Sequence, residues 1–401
     1  MKARWRRGVG WLAVAGVVTF IGYATLRPEG TQVQPFEWCL LCGWDDVADA
    51  IRNVVLFVPL GMCLPLIVRE RRWAFACAVA LTVSIEILQQ WLPGRDPSIG
   101  DMVTNSIGAA LGIAAFSWRR RWVRPSGWLA LGAAAAATAI FALGGVLLRP
   151  SFRAGEQIAM LAPADAATVR YRAPVLGASI GTQPITDSMP LDPGVLMGAL
   201  DRGQILRVRA IAVPPTNGLA ELFSVRDTLR GDGDTFIFGP DRGTLRLGFR
   251  VRGNDLGLDQ ADFPLRGVPL GAAGDTVQVA LWRAGRSFCA GTDRAHRCGF
   301  GYTIGDERTL LWFAPWESLA RWRLLGLIWI ALLVAPVGFW IAPDAGSVAA
   351  VGVIAAALAG VPWLTGLIAT PPAQWIAAGV ALGGGLFLRH VLSRLMPRNS
   401  T

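Results

Sequence analysis

Long apolar runs separated by short polar segments occupy both ends of the chain. Each run is close to the ~20 residues that a helix needs to cross a ~30 Å hydrocarbon core. The pattern predicts eight membrane-spanning helices over residues 9–26, 50–68, 73–92, 102–118, 127–148, 324–342, 348–370 and 372–388. The first run follows four basic residues, as in a signal peptide. Its length and the lack of a clear cleavage site favour a helix that is retained.

The middle of the chain, residues 149–323, has a different pattern. Gly, Pro and Asp turn signals separate short stretches with strand alternation, at 204–213, 235–238, 244–251 and 276–282. Short, turn-bounded strands without a helical period are typical of an all-β sandwich. We therefore predict a helical polytopic membrane protein with an inserted β-sandwich. Its parts are a five-helix membrane domain at 1–148, the sandwich at 149–323, and three helices with a tail at 324–401.

Composition supports the membrane class. Hydrophobic residues make up 53% of the chain and charged residues only 16%, where about 25% charged is usual for a soluble protein. This balance argues against a cytosolic globular enzyme, a disordered protein and a nucleic-acid binder, although the net charge is +10.

The basic residues indicate an orientation, because Arg and Lys beside membrane helices stay on the cytoplasmic side. With the amino terminus inside, the inner segments hold clusters at residues 2–7, 69–72, 119–124 and 389–398. Arg321 and Arg323 are an exception, since they fall on the outer side. The pattern predicts that both termini lie in the cytoplasm and that the β domain lies outside.

Four cysteines lie in segments predicted to be outside. Cys289 and Cys298 are close in sequence, and an oxidising compartment would allow them to form a disulfide. Cys39 and Cys42 form a C-x-x-C that could be a disulfide, a redox pair or half of a metal site. The sequence has no second C-x-x-C and only two histidines, so structural disulfides or plain thiols are favoured.

Polar side chains concentrate in the second, third and fourth predicted helices. An Asp, Lys or Arg at a helix centre costs roughly 2.5 to 3.5 kcal/mol in a membrane, so each is a functional candidate. The candidates are Asp49, Arg52, Asn53, Glu86, Gln89, Gln90, Arg95, Asp101 and Asn105. From the ~1.5 Å rise per residue, we expect Glu86 about 9 Å deep in the outer leaflet and the two asparagines about 5 Å deep.

Gly and Pro add backbone features to the same helices. Asp101, Asn105, Gly108 and Gly112 follow one another at i, i+4, i+7 and i+11, which places them on one stripe of a helix. Such a stripe packs closely against a neighbouring helix and forms hydrogen bonds to it. Pro59 interrupts the hydrogen bonds of the second helix and, like Pro65, leaves a carbonyl to be satisfied by neighbours, water or a ligand.

These motifs together resemble the VanZ-like family of bacterial membrane proteins over residues 46–116. The residues that carry the resemblance are Asn53-x-x-x-Phe57-x-Pro59-x-Gly61, Glu86-x-x-Gln89, Pro93-Gly94-Arg95 and Asp101-x-x-x-Asn105-x-x-Gly108-x-x-x-Gly112. The family's founding member is associated with low-level resistance to the glycopeptide teicoplanin. The resemblance implies a cell-envelope role at the outer leaflet, carried by Asn53, Glu86, Gln89, Arg95, Asp101 and Asn105, but it does not supply a reaction.

The middle domain resembles a laminin G or concanavalin-like sandwich through residues 222–227, 245–252 and 277–282. The resemblance implies glycan binding, sometimes with calcium. Asp232 and Asp234 are possible oxygen ligands for calcium, although an ordinary tight turn is the favoured interpretation. We expect no other cofactor and no metal site in the membrane domain.

Three hypotheses about function follow, beside the alternative that the polar cluster is only a satisfied network between helices. In the first, a cleft recognises a lipid-linked or glycan headgroup, and Arg95 and Arg52 meet its phosphate. In the second, Glu86 or Asp101 is the general base of an envelope hydrolase or transferase. In the third, the helices only anchor an outer glycan-binding or adhesion module. The first is favoured, with membrane lipid as a partner and no nucleic acid, and an enzyme is the less favoured class.

Overall fold

The computed structural model describes residues 2–28, 32–33, 35–40, 46–151, 157–163, 169–227, 234–293, 295–311 and 319–395. In these ranges, eight helices are long and apolar enough to cross a membrane. The protein is therefore a multi-pass membrane protein. Its chain divides into two compact units, Met1–Leu129 with Leu256–Asp259, and Ala130–Asp255 with Gln260–Thr401.

The first unit contains helices α1 (Lys2–Thr25), α2 (Asp46–Cys63), α3 (Arg71–Gln89) and α4 (Ile99–Trp122). Their core is apolar and includes Phe57 and Leu60 of α2 and Ala109 of α4. A short 3-10 helix, Leu64–Leu66, follows α2. Pro65 lies in this 3-10 turn, so it follows the end of α2 rather than interrupting it, whereas Pro59 lies inside the helix.

Three glycines bring the backbones of α2 and α4 into contact. A Cβ added at Gly61 would lie 2.0 Å from the carbonyl oxygen of Ala109, and one at Gly108 would lie 2.3 Å from that of Val54. A Cβ at Gly112 would lie 2.1 Å from the carbonyl oxygen of Val58. Because the neighbouring atoms belong to the backbone, only glycine allows this separation of the two helices.

The second unit contains two six-stranded antiparallel sheets, with no further sheet in the described part of the chain. Their strand orders are β4-β1-β6-β7-β8-β9 and β12-β11-β10-β5-β2-β3. The strands are β1 (Gln157–Leu161), β2 (Val175–Ile180), β3 (Gln183–Ile185), β4 (Met189–Leu191), β5 (Leu206–Ile211), β6 (Phe223–Asp227), β7 (Asp234–Asp241), β8 (Thr244–Phe249), β9 (Asp262–Leu265), β10 (Thr276–Ala284), β11 (Ser287–Thr292) and β12 (Ala295–Phe300). A short helix, α6 (Pro193–Leu200), connects β4 to β5.

The two sheets pack face to face through aromatic side chains. Phe249 of β8 and Phe263 of β9 lie 5.8 and 5.7 Å from the ring of Phe288 on β11. Tyr302 joins the same cluster, 4.8 Å from Phe263. The alternation of buried Leu206, Val208 and Ala210 along β5 fits a strand with one face in this core.

Helices α5 (Gly127–Leu147), α7 (Leu319–Trp340), α8 (Ala345–Thr365) and α9 (Pro372–Leu395) complete the membrane segments. Most of α5 falls in the second unit, because it packs against α8. A Cβ at Gly145 would lie 2.6 Å from the Thr365 hydroxyl, and Arg149 donates hydrogen bonds to the carbonyls of Thr365 and Leu364 at 2.8 and 2.7 Å. This division differs from the predicted boundary at residue 148, where α5 was grouped with the first four helices.

Candidate functional site

A chain of hydrogen bonds connects three helices of the first unit. The Asn53 side chain of α2 donates to Asp101 Oδ1 at 2.6 Å, and the backbone N–H of Asp101 donates to Ser98 Oγ at 3.0 Å. Ser98 is the N-cap of α4, and its own N–H donates to Glu86 Oε2 of α3 at 3.1 Å. The structure therefore brings Asn53, Glu86 and Asp101 together, as the sequence pattern predicted, with Ser98 as the link.

The members of this chain differ in accessibility. Glu86 is 1% exposed, whereas Asn53 and Asp101 are only partly buried. The positions within the helices also differ from the expected ones. Glu86 lies near the end of α3, while α2 begins at Asp46 and α4 at Ile99, so the two asparagines lie further from their helix ends. Glu86 is three residues from the end of α3, whereas Asn53 and Asn105 are seven and six residues from the start of α2 and α4.

Asn105 forms a separate link between α4 and α3. Its amide donates to the hydroxyl of Thr82 at 2.8 Å, and both side chains are buried. The carbonyl oxygen of the Asn105 side chain has no hydrogen-bond partner among the described residues. Thr82 was missed in the sequence because a hydroxyl is common in membrane helices. Its spacing of four residues from Glu86, on the same face of α3, was the available signal.

Gln89 and Arg95 bind the end of α1 instead of the shared cluster. Gln89 donates to the carbonyl of Thr25 at 2.9 Å, and Arg95 donates to those of Arg27 and Ala24 at 2.8 and 3.0 Å. Carbonyls at the end of a helix lack partners within the helix and attract positive charge. These two residues therefore tie the end of α3 and the α3–α4 loop to α1.

Arg52 is held between carboxylates. It pairs with Asp49, one turn earlier in α2, and with Asp259 at 3.2 Å. The Leu256–Asp259 segment also accepts hydrogen bonds through the Gly257 carbonyl from the first amides of α2, at 3.1 and 3.0 Å. No local pattern in the sequence could have paired α2 with a segment so distant along the chain.

Residues 35–40 lie along the start of α4. The N–H of Glu37 donates to the carbonyl of Pro97 at 2.9 Å, and that of Gly100 donates to Cys39 at 3.1 Å. A Cβ on Gly100 would lie 2.3 Å from the Leu40 carbonyl oxygen. Cys39 is disulfide-bonded, and its predicted partner Cys42 lies outside the described residues.

A second polar cluster, not predicted from the sequence, occupies a buried 3-10 helix of the second unit, Ile304–Leu310. Asp306 accepts hydrogen bonds from the N–H and hydroxyl of Thr303 at 2.8 and 2.7 Å, and Gln374 of α9 donates to the same hydroxyl at 2.7 Å. The guanidinium of Arg308 lies 4.4 Å from the ring centre of Trp322. The segment has no distinctive period, so it was grouped with the β domain.

Glu307 is a second buried carboxyl group in this cluster. It is 2% exposed, and neither carboxylate oxygen forms a hydrogen bond with a described residue. Burial raises its pKa well above the usual glutamate range, although the nearby Trp329 indole acts in the opposite direction. A Cβ at Gly144 of α5 would lie 2.6 Å from its carboxylate carbon, so this glycine makes room for the side chain.

The remaining predicted sites lie in the β domain. A disulfide joins Cys289 and Cys298, which are opposite each other on β11 and β12. Asp232 and the side chain of Asp234, the possible calcium ligands, lie outside the described residues. Elsewhere in the described ranges, no group of three His, Cys, Asp or Glu side chains is placed to hold a metal.

Residues 11–120 match the family model VanZ/LLP1. Comparisons with curated proteins and with solved structures give no match. The matched stretch contains most of α1 together with α2, α3 and nearly all of α4, so it extends the predicted region of 46–116 towards the amino terminus. This extension agrees with the structure, because α1 receives the hydrogen bonds of Gln89 and Arg95.

Proposed function

We propose that the first unit, whose residues 11–120 match the VanZ/LLP1 family model, recognises a lipid-linked or glycan headgroup at the outer leaflet of the bacterial inner membrane. The observation that carries this proposal is the partly accessible Asn53–Asp101 pair at one end of a buried polar chain. A hydrogen bond that only connects helices does not need to be accessible, and the Asn105–Thr82 pair is buried. The family match supports a cell-envelope role, with glycopeptide resistance as one form of it.

The accessible groups favour a particular headgroup chemistry. Arg52 is paired with two carboxylates and Arg95 binds α1, so neither is placed to meet a phosphate as its first partner. The carboxylates of Asp49, Asp101 and Asp259 lie near Arg52 at this end of the polar chain, and the Asp49 side chain is 52% exposed. Carboxylates accept hydrogen bonds and attract cations. The headgroup is therefore expected to offer hydroxyl or ammonium groups at this point.

The orientation stays as the arginine distribution predicts, with both termini in the cytoplasm and the β domain outside. The disulfide between Cys289 and Cys298 and the disulfide-bonded Cys39 support it. Disulfides persist in oxidising compartments, such as the bacterial periplasm. Both lie in segments for which the charge rule predicts the outer side.

The test is mass spectrometry of lipids that co-purify with the detergent-extracted protein. We expect one lipid class to be enriched with the wild type and reduced with Asp101→Asn and Asn53→Ala. Glu70→Gln is the matched control, because it removes one exposed carboxylate from the other end of α3, where Glu70 pairs with Arg72. Equal lipid profiles for folded wild type and both site variants would show that the cluster only connects helices.

A further inference from the structure

The second sheet of the sandwich, β12-β11-β10-β5-β2-β3, has an outer face that carries aromatic and basic side chains. Strand register places one row of residues straight across its six strands, namely His296, Gly291, Ala280, Arg207, Ser179 and Pro184. The opposite face of the same strands contains the buried Val208, Val279 and Leu281. Because side chains alternate along a strand, the row and its neighbours two residues away point away from the core.

Aromatic rings occupy one side of this outer face. Trp282 lies two residues beyond Ala280 on β10, and its ring centre is 5.8 Å from that of His296 on β12. Trp282 is partly exposed and His296 is exposed. Rings of this kind offer flat apolar surfaces on which a sugar ring can stack, while their N–H groups remain free to donate hydrogen bonds.

Positive charge occupies the other side. Arg207 and Arg209 alternate along β5 on the same face, Arg209 exposed and Arg207 partly so. Neither forms an ion pair or a side-chain hydrogen bond with any residue in the described ranges. None of the residues that the register aligns with them is acidic, since Arg207 faces Ala280 and Ser179, and Arg209 faces Gln278 and Gly177.

Small residues separate the two sides. Ala280 and Gly291 form the floor of the row between Arg207 and His296. Strands lie ~4.8 Å apart, so the row from β12 to β5 is about 14 Å wide. An extended chain of sugar rings fits a shallow floor of this width, with rings against Trp282 and acidic groups against the two arginines.

We propose that this aromatic–basic face, formed by Trp282, His296, Arg207 and Arg209, binds an acid-bearing polysaccharide. The disulfide between Cys289 and Cys298 supports the face, because it fastens the exposed edge strand β12, which carries His296, to β11. The proposed orientation decides only whether the polysaccharide comes from outside the cell membrane. Binding itself is a property of the sheet.

The experiment measures binding of oligosaccharides to the full-length protein in nanodiscs of neutral lipid by calorimetry. The probe is an oligouronate prepared from alginate, compared with a neutral oligoglucan, an oligoglutamate and a single-stranded oligonucleotide. We expect the oligouronate to bind most tightly. Arg207→Gln and Arg209→Gln should each weaken it about fivefold, as expected for an exposed ion pair at the upper end of its usual range. Trp282→Ala should weaken it further, and Trp282→Phe should restore most of the affinity.

Matched controls keep the outcome interpretable. Arg170→Gln removes an exposed arginine of the same unit that lies between β1 and β2 and on no strand of this sheet, so it should leave binding unchanged. Unchanged binding by Trp282→Ala, an equal loss in Arg170→Gln, or equal binding of the oligoglutamate or oligonucleotide would overturn the inference. None of these results bears on the lipid profile of Asp101→Asn, so this inference and the proposed function can fail separately.

Discussion

The close contact of α2 and α4 predicts that a single methyl group will destabilise the first unit. In Gly112→Ala the new Cβ would lie 2.1 Å from the Val58 carbonyl oxygen and 2.8 Å from both the Gly61 Cα and the Met62 nitrogen. Even a close C–H···O contact needs about 3.3 Å. Since every obstructing atom belongs to the backbone, no side-chain rotation relieves the clash, and the helices must separate by about 1 Å.

The expected cost follows from two opposing effects. Overpacking typically costs ~1–3 kcal/mol. We expect a cost at the upper end of this range, because moving α2 away from α4 also weakens the contacts at Gly61 and Gly108. Alanine is favoured over glycine in a helix by about 1 kcal/mol. We therefore expect Gly112→Ala to lower the free energy of unfolding of the first unit by about 2 kcal/mol. Gly16→Ala is the control, because nothing lies within 4 Å of its Cβ.

The assay follows the accessibility of Cys63, a half-buried free thiol near the end of α2. In a background where the exposed Cys77 is replaced by serine, labelling of Cys63 by a thiol-reactive dye is recorded against temperature. Gly112→Ala should expose Cys63 at a lower temperature than the parent, and Gly16→Ala at the same temperature or slightly above. If Gly112→Ala and Gly16→Ala behave alike, the backbone contact of α2 with α4 does not limit stability.

Three further predictions concern other parts of the chain. The folded state binds the Glu307 proton more tightly than the unfolded chain does, so the free energy of unfolding should fall as pH rises above the usual glutamate range until Glu307 ionises. Glu307→Gln should flatten this pH dependence in a series of thermal unfolding measurements. The same pH dependence in the variant would contradict the argument from burial. Cys298→Ser should lower the free energy of unfolding by ~2–3 kcal/mol, because the disulfide no longer closes a short loop in the unfolded chain. Thermal unfolding of the variant, and of the wild type with reductant, measures this loss. If neither sample changes, the disulfide does not constrain the sandwich. Asn105→Ala should lower the free energy of unfolding by ~1–2 kcal/mol, because the Thr82 hydroxyl loses its hydrogen-bond donor. The lipids that co-purify with this variant should be those of the wild type. A changed lipid profile would place Asn105 in the site.

Much of the architecture follows from sequence periodicity. All eight membrane helices were predicted, with ends within about five residues of the apolar spans in the structure, because an apolar run of fixed length is a strong signal. The turn-bounded strands of the sandwich were likewise visible in the alternation along β5 and β8. The Asn53–Asp101 contact was predictable because both residues interrupt apolar helices at the same end.

Other features depend on tertiary packing that no local pattern encodes. Gln89 and Arg95 carry the same polar signal as Asn53, yet they bind carbonyls of α1, and a carbonyl acceptor leaves no trace in a sequence. Glu307 lies in a short segment whose burial depends on α5, α7 and α9. Its environment could only be known once those helices were placed.

The Leu256–Asp259 segment has a consequence for how this protein can be divided or recombined. Four residues encoded far downstream provide the acceptor for the first amides of α2 and one of the two carboxylates that hold Arg52. The first unit is therefore not one continuous stretch of the gene. A shortened gene that ends after residue 129 would encode every helix of that unit and still leave the start of α2 uncapped. A graft that exchanges the β domain for another would have to carry these four residues with it.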